Sequence, residues 1–385
     1  MKLNTKLDHI QASPIRAFND QISTIEGLIP LTIGEPDFAT PDFIKEAAIQ
    51  AIEADKNGYS HSRGHLRLRQ AIADFVKRKY QVDYKADTEI IVTSGPTQAL
   101  LSTFLTLLNP GDKVLAASPN YVIYATQVQL AGGEFIPIDV SKEGFIFTPD
   151  LLEASLKDHP QTRVLLLNHP SNPTGVTYTK DQLQALIPVI EAHDLWVVSD
   201  EIYSELTYDQ KHVSMAHLLP ERTLLINGLS KSHAMTGWRS GFVAGPEWVI
   251  NQLFKAHQAT VNTPNTQMQN AAIIAYDQGD AAIEEMRQIY LDRRNFLMTA
   301  FKDLGIQTLN PQGAFYLFVK VPDWFEGDDF DFALALAQEA RVGTVPGSGF
   351  GSAGKGYFRV SYAASMDSLK EAMNRIAQFV KTHQQ

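Results

Sequence analysis

The sequence predicts an α/β fold with two parts. One is a large domain whose mostly parallel sheet is sandwiched by helices, and the other is a smaller α+β domain built from the N-terminal segment and the C-terminal part. Three observations predict it. Between about residues 88 and 245, short aliphatic runs recur: EIIVT, KVLAA, EFIPI, RVLLLN, LWVVSD, TLLIN and GFVAG. Segments of helical apolar spacing lie between or beyond them, over residues 97–108, 180–192 and 248–260. After about residue 286 the rhythm changes to a long polar helix through Arg293 and Arg294, the strand AFYLFVKV, a helix near residues 329–340, the strand YFRVSYA and a terminal helix.

Near-continuous apolar strands alternating with amphipathic helices are what a sheet buried on both faces requires. Right-handed crossovers are expected to join them. The length of 385 residues suits two domains of roughly 100–200 residues each. The expected division is residues 1–40 as an N-terminal segment packing on the small domain, 41–285 as the large domain and 286–385 as the small one. The first 30 or so residues are too short to fold alone, so they are expected on the C-terminal domain or on a partner subunit. No internal repeat or low-complexity tract interrupts the chain.

Composition narrows the function. Hydrophobic residues make up 44% and charged residues 20%, ordinary globular usage that excludes disorder, collagen and coiled coil. The 43 acidic residues are interleaved with 33 basic ones for a net charge of −10, so nucleic acid is not an expected partner. The absence of cysteine excludes disulfides, thiolate metal sites and cysteine nucleophiles. The N-terminus lacks the apolar core of a signal peptide, and no stretch approaches the ~20 apolar residues that span a bilayer. No membrane partner and a cytoplasmic location are expected.

Four segments carry chemistry. In GLSKSHAMTGWRSGF, residues 228–242, Lys231 follows the apolar strand TLLIN and Arg239 lies eight residues on. Strand ends are where open α/β sheets place ligands. A lysine there forms an imine with an aldehyde once burial and a neighbouring cation supply its neutral amine, and Arg239 holds a phosphate in its planar fork. An isolated Ser-Lys pair would instead be a solvated loop; the other segments argue against that. In LLLNHPSNPTG, residues 165–175, a buried-type strand runs into prolines and asparagines. It is either a proline-fixed turn or a rigid mount for an amide that donates to a phenolate oxygen, and an Asn-Pro bond there is a candidate for the cis form.

In LWVVSDEIYSEL, Asp200 and Tyr203 end an apolar strand, and a carboxylate at the mouth of a buried strand needs a partner. A helix N-cap is one alternative. A metal is disfavoured because no histidine or carboxylate cluster accompanies Asp200 at ligand spacing, His193 being the nearest histidine before it. In TSGPTQALL, residues 93–101, a strand, a turn at Gly95 and a helix beginning near Thr97 offer N-terminal amides to an anion.

IGEPDFATP, Tyr59 with Gly64, SGPTQAL, Tyr121, NHPSNPTG, DEIY, SKSHAMTGWR and FRVSYA occur in one order over essentially the whole chain. In this the chain resembles the fold-type I pyridoxal phosphate enzymes, specifically the class I/II aminotransferase family. SKSHAMTGWR and SPIRAF resemble bacterial aromatic-amino-acid and N-acetyl-diaminopimelate aminotransferases, in a pattern that aspartate-specific relatives share. The resemblance makes residues 41–285 the cofactor-binding domain and implies three catalytic residues: Lys231, Asp200 and Tyr203. Lys231 carries pyridoxal 5'-phosphate as a Schiff base and shuttles the proton between Cα and C4′. Asp200 pairs with the pyridine nitrogen, which lets the ring accept electrons. Asn172 and Tyr203 bond the phenolic oxygen, Tyr121 stacks on the ring, and Arg239 and Thr97 bind the phosphate, with Gly95 and Ser230 in the same cup. Tyr59 reaches the phosphate of a neighbouring subunit, which implies a homodimer with shared sites. Arg359 meets the substrate carboxylate as a bidentate pair, beside Asn172 and the backbone of Gly34.

Two positions depart from the pattern. Pro96 stands where many relatives offer a backbone amide to the phosphate, and proline has none; Gly228 stands where many have a serine hydroxyl. The expected activity is reversible amino-group transfer from an L-amino acid, aromatic ones included, to a 2-oxo acid by a ping-pong route. A C–S lyase performing β-elimination is the alternative enzyme on this fold, and a non-catalytic cofactor-binding sensor is a further alternative. The sensor is disfavoured by the acidic charge and by a resemblance that starts almost at residue 1. Phe18, His233 and Phe350 are candidates either for an apolar side-chain pocket or for core packing.

Overall fold

The computed structural model describes residues 7–8, 10 and 14–384. Residues 1–6, 9 and 11–13 of the expected N-terminal segment lie outside the described residues. The chain opens with α1 (Pro14–Ile22), β1 (Ile29–Pro30), α2 (Asp42–Glu53) and α3 (Leu66–Tyr80). All seven aliphatic runs then form strands: β2 (Ile90–Ser94), β3 (Lys113–Ser118), β4 (Glu134–Asp139), β5 (Thr162–Asn168), β6 (Trp196–Asp200), β7 (Thr223–Gly228) and β8 (Ser240–Ala244). Between them lie α4 (Pro96–Leu107), α5 (Ile123–Leu130), α6 (Pro149–Asp158), α7 (Lys180–Ala192), α8 (Met215–Leu218) and the single turn α9 (Leu229–Ser232).

The seven strands make one sheet in the order β2-β8-β7-β6-β5-β3-β4. Only β8 runs against the rest, pairing antiparallel with β2 and β7, so the α/β class with a mostly parallel sheet is as the sequence predicts. Side chains alternate between two cores. Val164 and Leu166 of β5 pack with Leu100 and Phe104 of α4 and, beyond α4, with Val249 and Leu253 of α10 (Glu247–Val261). Leu165 and Leu167 face Leu152 and Leu156 of α6 and Leu183 and Leu186 of α7. Thr179 starts α7 with a reciprocal capping box to Gln182, which satisfies two otherwise orphaned backbone donors.

After α11 (Thr266–Gln278), α12 (Asp280–Asp303) runs unbroken through residue 286, so the boundary expected there falls inside a helix. Then come β9 (Tyr316–Lys320), α13 (Asp329–Ala335), a π-helical turn (Leu336–Ala340), β10 (Val342–Gly343), β11 (Val345–Pro346), β12 (Tyr357–Ser361) and α14 (Met366–His383). β11, β12 and β9 form a three-stranded antiparallel sheet, over a core that includes Phe315, Phe332, Phe358 and Tyr362. The N-terminal segment packs there too. Phe18 and Ile22 cluster with Ala333 and Ala337, and β1 pairs in parallel with β10, Ile29 opposite Val342. Among the described residues no helix is long and apolar enough to cross a membrane.

The NPTG turn locks the large sheet to β9. Gly175 adopts φ +69°, and a Cβ there would lie 2.4 Å from Pro311 Cβ and 3.0 Å from the carbonyl oxygens of Gly313 and Tyr316. Gly111 is also left-handed, at φ +89°, but nothing lies within 4 Å of where its Cβ would stand. Gly175→Ala is therefore expected to lose about 1–3 kcal/mol of stability through overpacking beyond the backbone strain. Gly111→Ala carries the strain alone, and denaturant unfolding of the two variants measures the difference.

Candidate active site

An open cleft of about 1190 Å³ lies at the C-terminal ends of the parallel strands and reaches over to β9 and β12. This is where open α/β sheets place ligands. Strand register sets its centre: Asn168 at the end of β5 is level with Asp200 at the end of β6, and Gly228 of β7 with Gly241 of β8. The strand ends therefore deliver Asn168, Asp200 and the Lys231 turn side by side.

Asp200 is buried, 4% exposed. Its carboxylate accepts from the Tyr124 hydroxyl at 2.7 Å and from the Ile202 backbone N–H at 3.3 Å. Burial pushes its pKa up to about 6, and those two donors and Lys231 oppose the rise. A carboxylate in this position gains from a cationic partner. The next residue, Glu201, points away into a separate buried network: it accepts from Ser199, Ser214 and the Met215 N–H and pairs with His212 at 2.7 Å. Among the described residues no group of three His, Cys, Asp or Glu is placed to hold a metal.

Lys231 lies on α9 and donates to the Gly34 carbonyl at 2.5 Å. Its ammonium lies 5.8 Å from the ring centroids of both Tyr203 and Phe315. Burial, reinforced by the charges of Arg359 and Arg239 and opposed by Glu35 and Asp200, lowers its pKa to about 8. The folded chain thus supplies a neutral amine near physiological pH.

Arg359 of β12 is 4% exposed and donates to Asn172 Oδ1 and the Thr32 carbonyl, each at 2.8 Å. Its guanidinium is held between the rings of Tyr316 at 4.2 Å and Phe350 at 4.8 Å. Both hydrogen-bond partners are neutral and its buried Nε has none, so the guanidinium is suited to receive a carboxylate. Tyr203 bonds Tyr316, hydroxyl to hydroxyl, at 2.9 Å. Tyr121 stands at the cleft wall, edge-on to Tyr124 with ring centroids 5.6 Å apart.

At the start of α4, Gly95 adopts φ +78°, and a Cβ there would lie 2.5 Å from Arg239 Nη2. Thr97, Ser230 and Arg239 line the cleft, and the buried Ser230 hydroxyl has no protein partner. The two departures from the family pattern pack against each other. A Cβ on Gly228 would lie 2.4 Å from the Ser240 carbonyl oxygen and 3.3 Å from Pro96 Cγ. The Pro96 ring thus occupies space beside a strand position with no room for a serine.

The structure brings Gly34, Thr97, Tyr121, Asn172, Asp200, Tyr203, Ser230, Lys231, Arg239 and Arg359 to one cleft, with Gly95 directly beneath Arg239. Tyr59 is not among its walls and is 88% exposed. Of the aromatic candidates, Phe350 lines the cleft, whereas Phe18 is core. His233 is buried between Ser232 and the Ala275 carbonyl, and burial lowers its pKa to about 4. Sequence reasoning missed Tyr124, Tyr316, Arg16 and Asn19, all of which face the cleft. Tyr124 had one weak signal, its position three residues after Tyr121.

A family model described as aminotransferase class I and II matches residues 26–376. The probable N-acetyl-LL-diaminopimelate aminotransferase of Bacillus subtilis (strain 168) is 41% identical, over 98% of this chain and 95% of its own length. Aromatic-amino-acid aminotransferase 2 of Thermococcus litoralis is 40% identical over 99% of both. The solved aspartate aminotransferase of Thermus thermophilus with maleate superposes with a TM-score of 0.92 at 36% identity, over 98% of this chain and 99% of its own. The chain belongs to the class I and II aminotransferase family.

Proposed function

We propose that the chain is a pyridoxal-phosphate-dependent aminotransferase. It moves an amino group from an L-amino acid, aromatic ones included, to a 2-oxo acid in two half-reactions that share one site. The observation that carries the cofactor assignment is the set of polar groups, without ion-pair partners among the described residues, that converge on one cleft. These are the buried Asp200 carboxylate, the low-pKa Lys231 amine, the unpartnered Ser230 hydroxyl and the Arg239 guanidinium packed on Gly95. The first matches a protonated ring nitrogen, the second an aldehyde carbon, and the last two together a phosphate.

When bound, pyridoxal phosphate supplies an electron-accepting ring conjugated to the substrate Cα. Asp200, kept ionised by the Tyr124 hydroxyl, holds the ring nitrogen protonated. Lys231 would hold the cofactor through its amine and, when free, would accept and return the proton of the substrate Cα. Tyr203 and Asn172 would donate to the phenolic oxygen, and Tyr121 would stand against the ring. Arg359 fixes the substrate carboxylate, which sets the Cα–H bond toward Lys231. Arg239, Thr97 and Ser230 anchor the phosphate. Among the residues that line the cleft, Phe350, Ile15, Val122 and Phe135 offer apolar surface for a substrate side chain, and Arg16 and Asn19 offer polar groups.

A homodimer is part of this reading. Tyr59 is exposed, as are Phe43, Ile49, Ile52 and Leu66 on α2 and α3, an apolar surface suited to a second copy that brings Tyr59 to the partner's phosphate. The relatives' names favour transfer over elimination of sulfur.

Absorbance spectra of the wild type and Lys231→Ala test the core of the proposal. The wild type is expected to show a Schiff-base band that phenylalanine, aspartate or glutamate discharges, each to its own extent. Lys231→Ala should lack the band, and a wild type without a chromophore in excess cofactor defeats the assignment. Pyruvate released from cystathionine with no oxo acid added would mark elimination instead. Arg239→Ala should weaken cofactor binding about 10–100-fold, the worth of a charged hydrogen bond, in titrations of the apoprotein; unchanged affinity removes Arg239 from the phosphate site.

The Lys231 amine also predicts a stability profile for the apoprotein. Its pKa is lowered from 10.5 to about 8, so the folded state holds the proton less tightly than the unfolded state and stability rises with pH across that window. Lys231→Met is expected to stabilise the apoprotein by about 1–3 kcal/mol below pH 8. The advantage should shrink toward pH 10.5, as read by denaturant midpoints, and a pH-independent difference would refute the buried amine.

A further inference from the structure

We propose that Tyr316 is a positioning residue that relays the arrival of a carboxylate at Arg359 to the Tyr203 hydroxyl, and through it to the phenolic oxygen of the cofactor. The relay rests on the pyridoxal phosphate reading above. Tyr316 begins β9, fully buried, and touches both ends of the substrate machinery. Its hydroxyl lies 2.9 Å from that of Tyr203, and its ring face carries the Arg359 guanidinium at 4.2 Å. Its hydroxyl also packs on Gly34, 3.1 Å from where a Cβ would stand, and the Gly34 carbonyl accepts from Lys231.

A hydrogen count fixes the direction of the relay. Each tyrosine hydroxyl has one proton to give. If Tyr203 gives its proton to the phenolic oxygen, the bond between the two tyrosines has one remaining polarity: Tyr316 donates and Tyr203 accepts. Hydrogen bonds in such a chain polarise one another, so donation by Tyr316 strengthens donation by Tyr203. The charged and titratable groups acting on the Tyr316 hydroxyl are Arg359, Tyr203 and Tyr121. Arg359 over the ring favours negative charge on that oxygen and so makes it the better donor. A carboxylate that pairs with Arg359 cancels this influence and weakens the chain. Arg359 also bonds Asn172, which gives a parallel route to the same oxygen; the Tyr316 route is distinguished by its dependence on Tyr203.

The test is a pH titration of the Lys231 Schiff-base absorbance in the cofactor-loaded protein, with and without 3-phenylpropionate. The proteins compared are the wild type, Tyr316→Phe, Tyr203→Phe and the double variant. Donation to the phenolic oxygen matters most after the Schiff base has lost its proton, so removing a donor raises the midpoint. Tyr316→Phe keeps the ring beneath Arg359 and is expected to raise the midpoint by about 0.5–1 unit. It should also shrink the shift that 3-phenylpropionate produces. In the Tyr203→Phe background the Tyr316 substitution should change nothing further, a dependence that a merely structural role for Tyr316 would not show.

An unmoved midpoint in Tyr316→Phe, or an equal displacement in both backgrounds, overturns the relay. Should Tyr316→Phe not fold, Tyr203→Phe alone decides: the relay requires a smaller 3-phenylpropionate shift than in the wild type, and an equal shift overturns it. A wild type with no Schiff-base band defeats the cofactor reading instead, so the two failures are distinguishable.

Discussion

The hydrogen bond from Tyr124 to Asp200 holds a carboxylate at the mouth of a buried strand, and the rest of the site is arranged around that charge. Burial alone would drive Asp200 toward its neutral form, and the donors at its two oxygens oppose this. Its backbone carbonyl is gripped as well, by the Asn168 side chain at 3.1 Å and the His169 N–H at 3.2 Å. These bonds tie the end of β6 to the end of β5, so the carboxylate cannot drift without disturbing the sheet. On the same cleft, burial lowers the Lys231 pKa, and two nearby arginines reinforce the effect. A site built from like charges with few ion-pair partners is poised for an anionic, aldehyde-bearing ligand.

The large sheet supplies one wall of this site, and β9 and β12 supply the other. Three glycines let the two approach. Gly175 meets the backbone of β9, Gly313 leaves room for the Pro170 ring, and Gly34 lies against the Tyr316 hydroxyl. These contacts place Arg359 on Asn172, so the residue proposed to receive the substrate carboxylate is bonded to one proposed to face the cofactor. Close approach also shapes the proposed phosphate end, at Pro96 and Gly228. The proline gives up an amide, and its ring packs beside a strand position that admits no side chain, which leaves Thr97, Ser230 and Arg239 as the proposed phosphate donors.

Much of this was legible in the chain. Seven aliphatic runs marked seven strands because a sheet buried on both faces leaves no polar position to blur the pattern. Lys231, Asp200 and Asn172 stood out because each is a polar residue at or just beyond the end of an apolar run, where burial demands a partner, whereas Arg359 stood out only through the resemblance of FRVSYA to the family. Tyr124 and Tyr316 did not stand out. A tyrosine on an amphipathic helix or an apolar strand has the same local signature whether its hydroxyl meets a catalytic carboxylate or a core neighbour. Phe18 and Phe350 were indistinguishable for the same reason.

By itself, then, the sequence determined the element types, the order of the strands along the chain and the polar residues at their ends, because periodicity and turn chemistry are local. Tertiary structure alone decided the partners. The strand order β2-β8-β7-β6-β5-β3-β4, the Tyr316–Tyr203 contact across 113 positions and the Arg359–Asn172 bond across 187 all join residues far apart in the chain. Such pairings are set by the packing of whole layers against one another, and no short window of sequence contains them.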